Sequence, residues 1–275
     1  MWDRIEPLMP ADPVRGRRWA NHRRTLEAIA WKYRTNSPWR DLPDELGSFQ
    51  TAHKRLIRWA VDGTWEMILT AVLAAADADD DIDWTVSVDS TVVRAHQHAA
   101  GALKKGRPAP EPADHALGRS RGGLSTKVHL AADGRARPLA FTVTAGQAGD
   151  APAFETVMSR IRVPRTGPGR PRTRPLAVLA DRAYSSRAIR SHLRRRGIRA
   201  VIPQPSDQVG HRLRRGRLGG RPPGFDSEVY KQRNTVERCI NRFKQWRGLA
   251  TRTDKLAIAY QAALHLAGIL IWTRG

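Results

Sequence analysis

One cysteine, Cys239, stands among 275 residues, which excludes an intramolecular disulfide and a thiolate zinc cluster. Acidic residues are scarce: 26 Asp+Glu face 48 Lys+Arg, a formal net charge of +22. A surplus of that size calls for a polyanionic partner, and nucleic acid is the first candidate. An anionic membrane would instead want a basic amphipathic helix or a lipid anchor, and neither is evident. The opening MWDRIEPLMP lacks the charged and apolar regions of a signal peptide. Long apolar runs are missing apart from 256–272, LAIAYQAALHLAGILIW. Gln261 and His265 interrupt it, so it falls short of a membrane span and reads as a buried terminal helix. Lysine is also sparse beside arginine, and with abundant Ala, Gly and Pro part of that bias fits a GC-rich genome.

What is present divides at the acidic run 77–83, a charge break that suggests a domain boundary near residue 80. Before it, RRWANHRRTLEAIAWKYRTN, SFQTAHKRLIRWAVDG and TWEMILTAVLAAAD carry apolar residues at helical spacing. Trp19, Leu26, Ile29, Ala30 and Tyr33 form the first stripe, Ser48 or Thr51 are candidate caps of the second helix, and Gly63 is its stop. Three short helices with Arg and Lys outside suit a helix-turn-helix module, as they suit any three-helix bundle. Trp2, Trp19, Trp31, Trp39, Trp59 and Trp65 crowd this region, mostly as core of a small helical domain.

After residue 81 the period changes. WTVSVDSTVVRAH (84–96) alternates as a strand does. The run 124–146 reads as a hairpin turning at Asp133-Gly134, and PLAVLAD (175–181) as a buried strand. Helices are expected from Asp150, taken as an N-cap, and over SSRAIRSHLRRRG, with IRAVIP as a last strand. Residues 99–123 and 205–226, rich in Ala, Gly, Pro and Arg, read as mobile loops. The sum is a mixed α/β sheet covered by helices.

Two carboxylates end or interrupt apolar strands: Asp89 inside VSVDST and Asp181 closing AVLAD. Eighteen Arg, no Lys and only two acidic residues, Asp181 and Asp207, lie between 160 and 221. Taken singly, each Asp reads equally well as a partner for a nearby Arg. A third segment, YKQRNTVERCINRFK, sets Tyr230, Arg233, Glu237 and Lys244 within one stripe of about 60° if it forms a single helix. Asn234 and Asn241 lie at the edge of that stripe, and Val229, Val236, Ile240 and Phe243 gather opposite. Alone this is an amphipathic helix with a solvated face. Together, Asp89, Asp181 and Glu237 could converge from strand, strand and helix to bind two Mg²⁺ ions and act on a phosphodiester. His96 and His98 follow Asp89 but lack the partners of a zinc site.

These segments resemble a known family. VDSTVVRAHQH, SRGGLSTKVHLAADGRARPLAFTVTAGQAGDAPAF, LADRAYSS and YKQRNTVERCINRFKQWRGLATRTDK are similar to bacterial insertion-sequence DDE transposases of the insertion-sequence four/five superfamily, the family-five branch above all. The superfamily's Tyr, two residues, Arg, three residues, Glu, six residues, Lys signature is met by Tyr230, Arg233, Glu237 and Lys244 with every interval kept. The resemblance implies a ribonuclease-H-like catalytic domain over 81–275 behind an N-terminal helical DNA-binding domain over 1–80. It further implies Asp89, Asp181 and Glu237 as catalytic metal ligands for two Mg²⁺, with Mn²⁺ able to substitute. Tyr230, Arg233 and Lys244 would contact DNA, with Asn234 and Asn241 beside them. The expected partners are terminal inverted repeats, target DNA and further copies of the chain, in the cytoplasm on the nucleoid, with no membrane. A nuclease of the same fold that does not join strands, or a transposase-derived repressor without catalysis, are the alternatives.

Overall fold

A computed structural model describes residues 1–16, 18–102 and 108–274. The chain opens with α1 (Trp2–Ile5), α2 (His22–Thr35), α3 (Phe49–Val61) and α4 (Thr64–Ala78). Helix α2 starts later than its apolar pattern predicts, because the Asn21 side chain accepts the Arg24 N–H and caps it there. Trp19 therefore lies outside the helix, its ring 4.0 Å from the Arg55 guanidinium and 4.5 Å from that of Arg58. Ser48 occupies the N-cap position of α3 without a side-chain capping bond. Gly63, at φ +80°, makes the sharp turn into α4 that a side chain would strain.

The rest of the chain runs β1 (Thr85–Ala95), α5 (Gln97–Ala100), β2 (Gly118–Ser120), β3 (Gly123–Ala132), β4 (Pro138–Ala145), α6 (Asp150–Arg160), β5 (Ala177–Ala180), α7 (Arg187–Arg195), β6 (Arg199–Val201), α8 (Ser206–Arg214), α9 (Ser227–Tyr230), α10 (Asn234–Lys244), α11 (Arg247–Ala250), β7 (Thr251–Arg252) and α12 (Ala257–Thr273). The main sheet has the order β4-β3-β1-β5-β6, with β3 antiparallel to both its neighbours and β1, β5 and β6 parallel. This is the mixed, helix-flanked α/β sheet expected of a ribonuclease-H-like fold. One edge of β1 pairs with β5 over Thr85–Val88 and with β7 at Arg94–Ala95. The stretch between, beginning at Asp89, has no strand partner on that edge among the described residues, and a cleft can form there.

One continuous apolar core runs from Ile5 to Trp272. Its axis is α12, buried almost throughout and packed on α2, α3, α4 and β4. The N-terminal helices thus share their core with the end of the chain. Among the described residues no helix is long and apolar enough to cross a membrane. Trp59 and Trp65 are fully buried in this core, whereas Trp2, Trp31 and Trp39 are half-buried against it.

Two segments expected as loops carry structure. From 108 onward the first is fastened by Glu111, only 3% exposed. Its carboxylate accepts the Ala257 and Ile258 N–H groups at 2.8 and 3.0 Å, so a residue far upstream caps α12. The second, 205–226, holds α8 and a short 3-10 turn, Gly216–Gly219. The part of the first loop at 103–107 lies outside the described residues.

Candidate active site

In the parallel pair β1–β5 the register runs Ser87↔Leu179 and Val88↔Ala180. The residues that follow are Asp89, still on β1, and Asp181, just past the end of β5. Adjacent strands lie about 4.8 Å apart, so two carboxylates in step across a parallel pair project from one edge of the sheet. Asp89 continues β1, while Asp181 caps a 3-10 turn by accepting the Ala183 N–H at 2.8 Å.

The third carboxylate arrives on α10. Its apolar side, Val236, Cys239, Ile240 and Phe243, is buried against the sheet, each large side chain contributing on the order of 1.5–3 kcal/mol. Cys239 is the small core residue that its position suggested. Thr235 Oγ1 donates to Ser87 Oγ at 2.9 Å and fixes the height of α10 along β1. Glu237, one turn in, faces outward with its side chain 46% exposed.

Arg233 spans the gap. Its guanidinium meets Asp89 Oδ2 and Glu237 Oε1, both at 2.7 Å. Burial alone would lower its pKa, yet Asp89, Glu237, Tyr230 and Asp181 together lift it above the ordinary value. Burial also raises the Asp89 carboxyl, with Asp181 and Glu237 adding to the rise, against the Ser90 N–H and Arg233. Asp89 therefore senses the other two carboxylates, but with the side chains so placed no group of three or more His, Cys, Asp or Glu among the described residues is gathered to hold a metal ion.

The single helix expected over 230–244 is broken: Lys231–Arg233 is a 3-10 turn between α9 and α10. Tyr230 packs half-buried on Ala177, Leu179 and Val201, its ring 5.3 Å from that of Phe225. Asp181 and Glu237 still act on its hydroxyl, whose pKa burial raises. Asn234, Asn241 and Lys244 are exposed on α10. His96 and His98 meet edge to face, ring centroids 4.4 Å apart, and line a cavity of about 640 Å³ with Lys32, Trp39, His53 and Asp254, a place the strand pattern gave no means of locating.

Residues 81–272 match the family model described as "Transposase DDE domain", and residues 1–69 match "Putative transposase of IS4/5 family". The chain belongs to the DDE transposases. It is 28% identical over 151 residues to "Putative transposase for insertion sequence element IS6501" of Brucella ovis, covering 55% of this chain and 100% of that one. It is 32% identical over 168 residues to "Putative transposase for insertion sequence element IS402" of Burkholderia cepacia, covering 60% and 69%. Among solved structures, the "Mos1 transposase paired-end complex with left transposon end" aligns with 87% of this chain and 82% of its own at 12% identity and a TM-score of 0.25.

Sequence reasoning missed a polar cluster on the other face of β1. Ser90 Oγ donates to Asp150 Oδ1 at 2.6 Å, and Lys127 Nζ donates to the same oxygen at 3.0 Å and to the Ala148 carbonyl at 2.6 Å. Asp150 is not the N-cap of α6; Gly149 is. The register Ser90↔His129 across the β1–β3 pair was the one signal that could have joined these residues, and it needs the pairing to be known.

Proposed function

We propose that this transposase binds the terminal inverted repeats of its element and cuts and joins DNA at the Asp89–Asp181–Glu237 site. The observation that carries the reading is that Asp89 and Asp181 directly follow the last paired residues, Val88 and Ala180, of β1 and β5, with Glu237 linked to Asp89 through Arg233. The donor set is oxygen only, it outnumbers its one guanidinium, and a cation already sits across two of its members. That chemistry fits hard divalent ions. Asp89, Asp181 and Glu237 would hold them, Mg²⁺ or Mn²⁺ and two in number in our reading, and when bound they supply an activated oxygen nucleophile and charge for the leaving oxygen.

The chain's own residues supply the rest. Arg233, released from the carboxylates, has a phosphate oxygen as its natural acceptor, because a guanidinium pairs bidentately with either anion. Tyr230 and Lys244 flank it along the approach to Glu237, with Asn234 and Asn241 as neutral donors and acceptors, so that phosphate contacts set register at the scissile bond. The N-terminal helices, with arginine outside, take the inverted repeat, and two copies of the chain bring two element ends together. Water attacks first and frees a 3′-hydroxyl, which then attacks target DNA. The place of work is the nucleoid in the cytoplasm.

The test is a strand-transfer assay on a labelled inverted-repeat duplex with Mg²⁺. Cleavage followed by joining is the expected result. Cleavage without joining would make the protein a nuclease of this fold, and binding without cleavage a repressor.

A further inference from the structure

Ser90 is bonded on both sides of its strand. Its N–H donates to the Asp89 carboxylate, at 2.7 Å to Oδ1, and its hydroxyl donates to Asp150 behind the sheet. One residue thus couples the orientation of Asp89 to a group on α6. Asp150, the first residue of α6, is placed where an acidic side chain would favourably meet the helix's own free N–H groups. Its Oδ1 is instead the meeting point of Ser90 and Lys127, with His129 Nδ1 3.8 Å away. Lys127 is 13% exposed and His129 1%. Burial pushes the Asp150 carboxyl up, and the Ser90 and Lys127 hydrogen bonds carry it below its usual range, so it is a firmly ionised anchor.

The same helix reaches the other strand carboxylate. Tyr184 ends the 3-10 turn that Asp181 begins. It is 1% exposed and rests against Phe154 of α6, ring centroids 5.7 Å apart. Phe154 stands one helical turn after Asp150 and so shares its face. At one end of this face α6 holds the residue after Asp89, and one turn further on it holds the turn after Asp181.

We propose that Asp150 and Lys127 are positioning residues of the acidic site, which set the Asp89 carboxylate through Ser90 while α6 braces the Asp181 turn through Tyr184. This rests on the reading of Asp89 as a metal ligand. Partners that orient metal-ligating carboxylates typically change metal affinity by 10–100-fold when removed.

The test is Mn²⁺ binding to the full chain without DNA, read by the paramagnetic signal of free Mn²⁺, together with cleavage kinetics on an inverted-repeat duplex. Ser90→Ala and Asp150→Asn should each weaken Mn²⁺ binding about tenfold and lower kcat about tenfold with KM for DNA unchanged. Ser90→Thr, which keeps the hydroxyl, should recover most of both. The double variant should be no worse than the weaker single one, because both act through one hydrogen bond. Wild-type Mn²⁺ affinity and kcat in a folded Ser90→Ala protein would overturn the proposal, as would effects that multiply in the double variant. Asp89→Asn separates the two levels. If it still binds Mn²⁺ as the wild type does, the metal-site reading itself fails; if it loses Mn²⁺ while Ser90→Ala does not, only the positioning role fails.

Discussion

Arginine meets oxygen in two contrasting places. Arg252 is 0% exposed and donates to the carbonyls of His115, Ala116, Asp254 and Lys255 and to Thr126 Oγ1, between 2.6 and 3.2 Å. Nearly every donor has a neutral acceptor fixed by the backbone, and burial lowers the pKa of the guanidinium despite Asp254 and Glu111. Arg233 has carboxylates instead, the Glu237 side chain 46% exposed and the Asp89 side chain 19%, and on balance its charge is reinforced. A buried cation saturated by carbonyls ties chain segments together and cannot be exchanged. A cation shared between accessible carboxylates can be replaced by another cation, and the first region is therefore architecture while the second has the makings of a site.

The sharpest way to break this contrast is at Glu237. Glu237→Gln keeps the shape and removes the charge. It should cut strand cleavage and joining by a factor on the order of 10³ or more and leave inverted-repeat binding in a gel shift nearly unchanged. An active Glu237→Gln protein would remove this residue from the chemistry. Next comes Arg252→Met, which removes the guanidinium donors from the Asp254 and Lys255 carbonyls and from Thr126 Oγ1. Urea unfolding should show a loss of about 3 kcal/mol or more, since each buried acceptor left unsatisfied costs about 1–3 kcal/mol. A loss below about 1 kcal/mol would mean that the Arg252 knot is ornamental.

The same contrast separates what was legible in the sequence from what was not. Asp89 and Asp181 could be singled out as candidates because a carboxylate on an apolar strand is locally anomalous, and Glu237 because its signature is local too. The strands β1, β3, β4 and β5 declared themselves by alternation and composition, and Gly63 by the turn it permits. Glu111 could not be found: it sits in a Pro- and Ala-rich stretch, and its partners, the Ala257 and Ile258 N–H groups, are 146 and 147 residues away. The break at Lys231–Arg233 has no glycine or proline to announce it. It coincides with the reach of Arg233 to Asp89, 144 residues upstream. Asp150 was misread for the same reason, since a local cap rule met a distant hydroxyl. Local chemistry writes itself into sequence, while pairings made by the sheet do not.

Acid should act on the architecture before it acts on the exposed face. His265, packed against Phe141 with ring centroids 4.7 Å apart, has its pKa lowered by burial to about 3 from 6.5. The unfolded chain thus binds a proton that the folded chain refuses. The stability this represents is complete above pH 6.5 and is lost as pH falls from there toward 3. By pH 5 the loss from this residue is about 2 kcal/mol. His129, lowered to about 4, adds in the same direction. Urea midpoints measured from pH 7.5 to 5 should fall, and His265→Gln should flatten that slope while lowering the midpoint at pH 7.5. An equal slope in the variant would put the acid sensitivity elsewhere.

The smallest effect is the most pointed, because its sign differs from that of an ordinary site mutation. Arg233 bonds both Asp89 and Glu237, so on the reading proposed above a metal ion would compete with it. Arg233→Gln removes the competitor and keeps a polar side chain. Mn²⁺ affinity without DNA should therefore rise, by about tenfold if the guanidinium holds the carboxylates by about 1.4 kcal/mol. Inverted-repeat binding should fall in the same protein and become less steep in salt, because one phosphate partner is gone. In the wild type, a duplex that draws Arg233 away should itself tighten Mn²⁺ binding, and by linkage Mn²⁺ should tighten the duplex by the same factor. The variant should lose that coupling. If Arg233→Gln instead weakens Mn²⁺ binding, the guanidinium organises the carboxylates rather than occupying them, and the two arginines are more alike than their surroundings indicate.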